Sequence, residues 1–386
     1  MNTITTDAWV LYASKHPGKP EPGQLIQETI SFPGINDEEI LVEPILGCWE
    51  ANMTHAIQRS PIDVAAQRKE EKVVLGNSGV VRILQTGSNV KGLKEGDICL
   101  LFFSRCDQYG YMPLAFGYDE PNSIGSLARK IKLHHSHVLP LPANTKYSYA
   151  QWAAFSLRYM TAWSNWKIAL GAYRLQMTKD DNPRPSVWGW GGGSTFAELS
   201  LARLQGCSTV MISSKKCHLD MIDQEGIQAL DFNLFPDLNY DDRKYRDDAD
   251  YRKKYLESET TFLNYVREFA GDEGVSIFVD YVGEPVYRPT LRALSRQGVI
   301  TTAGWKRGMK TTSLRASECI QRHIHVHTHY ARHSDGRPAV AFAEEHGWMP
   351  TISEPVTAWD DIPRLAADYE QGKVNSYFPI YSINSL

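Results

Sequence analysis

The clearest chemical signal in the sequence is a glycine-rich segment, VWGWGGGSTFAELSLARLQG, at positions 187–206. A short apolar run predicted as a strand leads into four glycines between 189 and 193, and an amphipathic pattern predicts a helix from Ser194 or Thr195 onward. Glycines at a strand-to-helix turn let the backbone approach a pyrophosphate, whose charge then lies against the helix N-terminus. The segment therefore predicts a dinucleotide site, with a ligand-free glycine turn as the alternative. The predicted binding residues are Gly189, Gly192, Gly193, Ser194 and Thr195.

The next predicted strand ends in MISSKK, at positions 211–216. Cofactors without a 2′-phosphate are usually held near this place by a carboxylate that accepts the ribose hydroxyls. Ser213, Ser214 and Lys215 instead offer hydroxyl groups and an ammonium, with Lys216 behind them. These groups suit a 2′-phosphate, so the sequence favours NADPH over NADH. The alternative is that the lysines are simply solvated.

A second chemical signal is the histidine-rich stretch HIHVHTHYARH at 323–333, which holds five of the twelve histidines. In a strand, alternate residues share a face at intervals of roughly 6.6 Å, so His323, His325, His327 and His329 would form one row. Histidine is the commonest metal ligand, which makes a metal site one hypothesis. A flat row seldom closes a tetrahedron without ligands from elsewhere. We therefore favour a sheet or interface strand.

Composition excludes several functional classes. The 386 residues are 42% hydrophobic, which is enough for two domains with separate cores. A net charge of -4 and a pI near 6.3 give no electrostatic footprint for nucleic acid or an anionic membrane. No segment approaches the roughly 20 apolar residues of a membrane helix. We expect a cytoplasmic protein without nucleic-acid or membrane partners, whose six scattered cysteines stay reduced.

The predicted elements form two groups. The first ~150 residues carry short β-type runs separated by Gly and Pro, followed by a helix predicted over 147–170. From residue 186, strands alternate with helices, which implies a parallel sheet covered on both faces. The charged, tyrosine-rich segment 233–270 interrupts this pattern and is predicted as a solvated insertion ending in a helix. The predicted class is α/β.

Several motifs resemble the medium-chain dehydrogenase/reductase superfamily. GVVRILQTGSNVKGLKEGDICLL at 79–101 is similar to its barrel signature, and FSLRYMTAW at 155–163 is similar to the helix that carries a threonine near the nicotinamide. The second half resembles crotonyl-CoA carboxylase/reductases, through SVWGWGGG, MISSKK, VSIFVDYVGEPVYRPTLRALSRQGVITTAG and the histidine stretch. The GGGSTF loop is similar to the loop of trans-acting enoyl reductases from polyketide pathways.

The resemblance implies a Rossmann doubly wound parallel sheet domain at 156–331, with 233–270 as its insertion. It also implies a GroES-like β-barrel domain built from 1–155 and 332–386. Thr161 would lie near the nicotinamide, and loops at the carboxyl edge of the sheet would line the rest of the cofactor. The loop residues expected there are Gly283, Ala303 and Gly304.

Zinc-dependent members of the superfamily use a cysteine after the second strand and a Gly-His-Glu further on. This chain has Cys48 at the first place, but Asn77 and Ser78 stand where the histidine and glutamate would be. A catalytic zinc needs three protein ligands and one open position. We therefore expect no catalytic metal, and we expect Cys48 to line the core or a pocket.

The loop GCWEANMTH faces the nicotinamide in this family. Glu50, Asn52 and His55 are its candidates to donate or orient a proton, with ordinary loop polar residues as the alternative. Carboxylating relatives hold carbon dioxide with an asparagine, an adjacent aromatic–glutamate pair and a histidine. The pair falls here on Tyr118 and Asp119 and the histidine on His329, but Asn52 lies one place away from the asparagine. Because this set is incomplete, we favour reduction without carboxylation.

The resemblance implies NADPH-dependent, zinc-independent hydride transfer to the β-carbon of an α,β-unsaturated acyl thioester, on CoA or a carrier protein, in a polyketide or fatty acid type of biosynthesis. The alternatives are a quinone or carbonyl reductase, a reductive carboxylase and a non-catalytic NADPH-binding protein. In this superfamily the last Rossmann strand commonly pairs to make a homodimer. On that basis His323, His325 and His327 are expected in the sheet or interface, and His329 nearest the active site.

Overall fold

The computed structural model describes residues 3–16, 21–102, 104–304, 307–308, 310, 312, 315–328 and 331–385. His329 lies outside these residues. The chain divides into two compact units, which we name the first unit (Met1–Met160 with Arg332–Leu386) and the second unit (Thr161–Ala331). Among the described helices, none combines the length and apolarity that a membrane span requires.

The strands are β1 (Thr3–Tyr12), β2 (Leu25–Pro33), β3 (Glu39–Cys48), β4 (Lys72–Val74), β5 (Gly79–Thr86), β6 (Ile98–Leu101), β7 (Ile131–His134), β8 (Val138–Pro140), β9 (Ser186–Trp190), β10 (Ser208–Ser213), β11 (Gln228–Asp231), β12 (Val275–Asp280), β13 (Leu294–Thr302), β14 (His325–Thr328) and β15 (Ile380–Ser382). The α-helices are α1 (Ala51–Gln58), α2 (Val64–Arg68), α3 (Tyr149–Arg174), α4 (Gly193–Leu204), α5 (Lys216–Gln224), α6 (Asp242–Asp247), α7 (Ala249–Ala270), α8 (Glu284–Ala293), α9 (Gly336–His346) and α10 (Ile362–Glu370).

The first unit is built on antiparallel sheets. Strand β3 lies within a curled six-stranded sheet of order β15-β3-β5-β6-β8, with β7 also paired to β3. A second sheet has the order β2-β1-β4. Apolar side chains of both sheets share one core, which includes Val10, Val42, Val81 and Leu101. The prediction of β-rich structure in this part of the chain is confirmed, and the structure shows that the pairing is antiparallel.

The second unit contains a parallel sheet of order β11-β10-β9-β12-β13-β14. The central strands β9 and β12 are buried at every position, as expected where helices cover both faces of a sheet. The structure thus confirms the predicted α/β class, a parallel Rossmann-type sheet together with a curled antiparallel β unit. The histidine stretch supplies the last strand of the sheet, β14, and His323 lies before it in a left-handed backbone conformation.

The prediction of a wholly solvated insertion at 233–270 is wrong for its second part. Helix α7 buries Tyr255, Phe262 and Val266, and the Phe262 ring contacts the rings of Trp188 and Trp190 on the central strand. These buried positions recur at helical spacing inside a charge-rich sequence, so the high overall charge conceals an amphipathic core helix. Phe235 and Leu238, before α6, are also buried, whereas α6 itself has no buried residue.

Candidate functional site

The predicted dinucleotide residues of the second unit converge at one edge of its sheet. Strands β10, β9, β12 and β13 are consecutive neighbours and all parallel, so their carboxyl ends lie side by side. The glycine loop follows β9, Ser213 ends β10, Gly283 follows β12, and Ala303 and Gly304 follow β13. Parallel sheets of this type bind ligands at this edge. Thr161 lies on helix α3 and not at the end of a strand.

The glycine loop forms a cradle that requires glycine. Gly191 has a φ of 153°, and a Cβ on it would lie 2.2 Å from the Thr195 hydroxyl oxygen. Gly192 caps α4, which begins at Gly193, one residue before the prediction, and a Cβ on Gly192 would meet no described atom within 4 Å. The space beside Gly192 is therefore open at the N-terminus of α4, the end of a helix at which a pyrophosphate can be held.

The two lysines after β10 have different surroundings. Lys215 is the N-cap residue of α5, and Asn233 donates a side-chain hydrogen bond to the Ser214 carbonyl. Lys216 is an exposed member of an ion pair with Asp220, one helical turn further on. Lys215 is therefore the lysine better placed to remain with Ser213 and Ser214 at the carboxyl end of β10.

Sequence reasoning missed a buried polar network beneath the glycine loop. Glu198, on α4, accepts hydrogen bonds from the Asn165 amide nitrogen at 3.1 and 3.0 Å and from the Tyr281 hydroxyl at 2.9 Å. The Thr301 hydroxyl donates to the Asn165 carbonyl oxygen at 2.8 Å. The network thus joins α3, α4, the segment after β12, and β13. The signal available in the sequence was a single carboxylate inside the otherwise apolar pattern FAELSLA.

Tyr281 connects this network to both glycine segments. A Cβ on Gly191 would lie 3.2 Å from the Tyr281 Cβ, and a Cβ on Gly304 would lie 2.7 Å from a ring carbon of Tyr281. The tyrosine therefore packs between the loop after β9 and the loop after β13. Because its hydroxyl is fixed on Glu198, the buried network sets the separation of the two loops.

Burial controls the charge of the acidic groups in this unit. Burial raises the pKa of Glu198 to about 8, and the hydrogen bonds from Asn165 and Tyr281 only partly oppose the shift. Glu198 is therefore mostly protonated at neutral pH. Burial also raises the pKa of Asp280 to about 6, and its Oδ1 accepts the N–H groups of Val282 and Gly283, each at 2.9 Å. Asp280 thereby shapes the turn at Gly283.

The first unit holds its candidate Glu50 in a buried ion pair. Glu50 Oε2 lies 2.8 Å from Arg158 Nε, and both side chains are 5% exposed. Arg158 also donates to the backbone carbonyls of Trp49 and Tyr377. Burial raises the pKa of Glu50, and Arg158 opposes the shift. Arg158 was not identified from the sequence, although it is a lone cation in the aromatic segment of α3.

The residues at the zinc-ligand positions of related enzymes lie around this ion pair. The Cys48 thiol and the Ser78 hydroxyl are beside the Glu50 carboxylate, and the Ser78 hydroxyl donates to the Cys48 carbonyl at 2.9 Å. Cys48 and Asn77 are buried as well, and burial raises the pKa of the Cys48 thiol. The group combines one neutral thiol with amide and hydroxyl oxygens.

The remaining catalytic candidates of the first unit are held by other elements. Asn52 lies on α1, and no described group donates a hydrogen bond to its Oδ1. Asp119 accepts the N–H of Ala115 and so closes its own turn, and burial raises its pKa. Arg68, on α2, donates to the Tyr118 carbonyl at 3.2 Å. Tyr118 and Asp119 are therefore fixed by their own loop and α2, whereas Glu50 is fixed by α3.

Comparison with known proteins yields matches among solved structures alone. No family model matches the sequence, and no curated protein matches it. The crotonyl-CoA carboxylase/reductase AntE in complex with NADP is 19% identical, with a TM-score of 0.79 over 99% of this chain and 95% of that one. The 2-octenoyl-CoA carboxylase reductase CinF in complex with NADP and 2-octenoyl-CoA is 19% identical, with a TM-score of 0.79 over 98% and 87%.

An NAD-dependent alcohol dehydrogenase is 18% identical and has a TM-score of 0.72, over 98% of this chain and 100% of that one. At these identities the matches establish the fold. The predicted resemblance to medium-chain dehydrogenases/reductases, and to crotonyl-CoA carboxylase/reductases among them, is confirmed at that level.

The raised pKa of Glu198 makes stability depend on pH. Between its ordinary pKa of 4.5 and its folded value of about 8, the folded chain holds a proton that the unfolded chain has released. The free energy of unfolding therefore falls as pH rises through this range, by up to about 1.4 kcal/mol per pH unit from this group. Glu198→Gln keeps a neutral side chain of the same shape and removes this contribution.

We expect the Tm of Glu198→Gln, measured by circular dichroism, to rise relative to that of the unmodified protein between about pH 5 and pH 8. Glu257→Gln, at an exposed position on α7, is the control and should show a constant difference. A pH-independent difference for Glu198→Gln would contradict the assignment.

Proposed function

We propose that the chain is an NADPH-dependent, zinc-independent oxidoreductase that reduces an α,β-unsaturated acyl thioester on CoA or a carrier protein. The observation that carries this proposal is the glycine cradle at the carboxyl edge of the parallel sheet, with hydroxyl and ammonium groups after the next strand. The likeness in fold to proteins solved with NADP and with 2-octenoyl-CoA supports the choice of cofactor and substrate.

The residues present fit this cofactor. The cradle and the N-terminus of α4 would hold the pyrophosphate. A Cβ on Gly191 would collide with Thr195, and the space beside Gly192 is open because glycine has no Cβ to fill it. Ser213, Ser214 and Lys215 would hold the 2′-phosphate through charge-assisted hydrogen bonds. Gly283, Ala303, Gly304 and Thr161 are proposed along the nicotinamide half. When bound, the cofactor supplies the hydride, and the protein supplies position and electrostatics.

The chemistry proposed for the first unit uses no metal, because Cys48, Asn77 and Ser78 do not form a zinc ligand set. Asn77 and Ser78 offer weakly basic oxygens, and the buried thiol of Cys48 is kept neutral. Reduction of a conjugated alkene instead needs hydrogen-bond donors for the enolate oxygen and a proton source. Glu50 and Asp119, carboxyls whose pKa is raised by burial, are the proposed proton sources, and Asn52, Tyr118 and His329 are the proposed polar partners.

Reductive carboxylation is the second candidate, because two of the matched structures are carboxylase/reductases. The incomplete residue set keeps simple reduction first. A homodimer through β14 belongs to the same proposal, supported by its place at the edge of the sheet and by the exposure of Val326. A cytoplasmic location and a role in acyl biosynthesis are proposed with it.

The direct test follows NADPH oxidation with enoyl-CoA and enoyl-carrier substrates of several chain lengths, with and without bicarbonate. We expect turnover with an enoyl thioester and a saturated product without added carbon. A carboxylated product under bicarbonate would select the second candidate. Turnover confined to quinones or simple carbonyls, or tight NADPH binding without any turnover, would contradict the proposal.

Gly192→Ala separates ligand binding from folding. Its Cβ would meet no atom within 4 Å, so we expect the variant to fold, with only the small decrease in Tm that alanine causes at an N-cap position. The same methyl group would occupy space that a pyrophosphate needs, and we expect the Kd for NADPH, measured by fluorescence titration, to rise at least about tenfold. Gly171→Ala, on α3, also meets no atom within 4 Å and is the matched control. Equal NADPH affinity in both variants would argue against this cradle.

Lys215→Ala tests the preference for the 2′-phosphate. Loss of one charge-assisted hydrogen bond should raise the Kd for NADPH roughly tenfold and leave that for NADH unchanged. Lys216→Ala is the matched control, because that lysine is engaged with Asp220 and should leave both affinities as they are. The same effect from both variants would indicate a general loss of positive charge.

A further inference from the structure

A group of histidines outside the proposed active site surrounds one turn of the first unit. Strand β7 ends at His134, and a 3₁₀ turn follows at His135–His137. Antiparallel pairing of β3 with β7 sets Glu39 opposite His134. The backbone N–H of His135 donates to the Glu38 carbonyl at 3.1 Å. Two strands thus fix Glu38 beside the first two imidazoles.

The side chains of Glu38, His134 and His135 present potential metal ligands to one another. One donor atom from each lies within 4.8 Å of the other two, and His135 Nε2 is 3.6 Å from Glu38 Oε2. Zinc bonds of about 2.0–2.1 Å place tetrahedral ligands roughly 3.3 Å apart. The three side chains are partly or fully exposed, so small torsional changes can close this gap, although Glu38 also accepts a hydrogen bond from Asn89 at 2.7 Å.

The ring of His134 is already oriented by its neighbour. Its Nδ1 lies 2.8 Å from the Ser136 hydroxyl and 3.2 Å from the Ser136 backbone nitrogen. Because Nδ1 accepts the Ser136 N–H, a neutral His134 ring carries its proton on Nε2. A metal on Nε2 would require the other tautomer, in which Nδ1 gives up that bond and donates to the Ser136 hydroxyl oxygen. Metal-bound histidines commonly have such a partner on the second ring nitrogen.

An independent observation points to a ligand at the same place. His137 is 5% exposed, and neither of its ring nitrogens has a hydrogen-bond partner among the described groups. Its ring lies 6.0 Å from that of His134, and His135 and His333 are also close enough to influence it. His333 Nε2 is in turn 2.9 Å from the Ser136 carbonyl. A buried polar group without a partner needs an explanation, and a bound cation is one that fits an imidazole beside other imidazoles.

The local charges permit a cation. The Arg105 guanidinium is near His134 and His137, and its positive charge disfavours a second cation there. The carboxylates of Glu38 and Glu39 favour positive charge at His134, and Glu120 partly neutralises Arg105. Glu39 is itself ion-paired with Lys132, so the ligand set is one carboxylate with two imidazoles, which is typical of Zn²⁺.

We propose that Glu38, His134 and His135 form a Zn²⁺ site, with His137 as the adjoining buried imidazole, that clamps the 3₁₀ turn to β3. The site uses different elements from the Cys48–Ser78 positions and is independent of the proposed reductase activity. A bound ion would cross-link β3 and β7 and so stabilise the folded first unit.

Titration of the full chain, prepared without a histidine tag, with Co²⁺ as a spectroscopic substitute for Zn²⁺ tests this proposal. We expect a single Co²⁺ to bind, to be displaced by Zn²⁺, and to show the intense visible bands of a low-coordinate site. His135→Gln and Glu38→Gln should each raise its Kd at least about tenfold, since even loss of an outer-shell partner has an effect of 10-fold or more. Zn²⁺ should raise the Tm of the unmodified chain and not that of the variants.

Two matched variants locate the site. His346→Gln, at an exposed histidine on α9, and His325→Gln, on the histidine-rich strand β14, should both bind Co²⁺ with unchanged affinity. Absence of Co²⁺ and Zn²⁺ binding, equal affinity in all variants, or loss of binding in His325→Gln would overturn the proposal. Because Glu38 is exposed, Glu38→Gln gives a clear answer even if His135→Gln folds poorly.

Discussion

The buried carboxyl group of Glu198 is the constraint on which the geometry of the second unit depends. It ties α3, α4, the segment after β12 and, through Asn165, β13 into one hydrogen-bonded unit. Each of its polar partners would cost about 1–3 kcal/mol if left buried without a hydrogen bond. The helix carrying Glu198 and the loop carrying Tyr281 therefore cannot shift independently. This network holds the sheet edge that carries the glycine loop, and all of its hydrogen bonds are made between groups of the chain itself.

The two units bury a carboxyl group in different ways. Glu198 has hydrogen-bond donors but no cation, so burial favours its neutral form. Glu50 has Arg158, whose remaining donors are used on backbone carbonyls of the same unit. Removal of either partner from such a pair is expected to cost about 3–5 kcal/mol, because the other charge stays buried alone. The first unit thus pairs its buried carboxyl group with a guanidinium beside Cys48 and Ser78.

The sequence predicted those features that depend on neighbours along the chain. The glycine loop, the serine–lysine end of β10 and the parallel strands follow from local spacing, and parallel pairing alone brings their carboxyl ends together. The Glu198 network could not be predicted this way, because Glu198 meets Asn165 and Tyr281 across 33 and 83 positions. Arg158 likewise reaches Trp49 across 109 positions. Helix α7 was misjudged because its charge density hides the helical spacing of its core residues.

The histidines show why convergence depends on where a chain turns. Along β14, successive imidazoles on one face are separated by roughly 6.6 Å and point in parallel, so the strand cannot gather them around one ion. At the end of β7, a 3₁₀ turn places consecutive side chains around a common centre, and the neighbouring strand adds a carboxylate from outside the local sequence. The same reasoning applies to the predicted dinucleotide residues, which come from the ends of four strands. In both places the proposed chemistry lies where strands end, because there the backbone changes direction and side chains from several segments can meet.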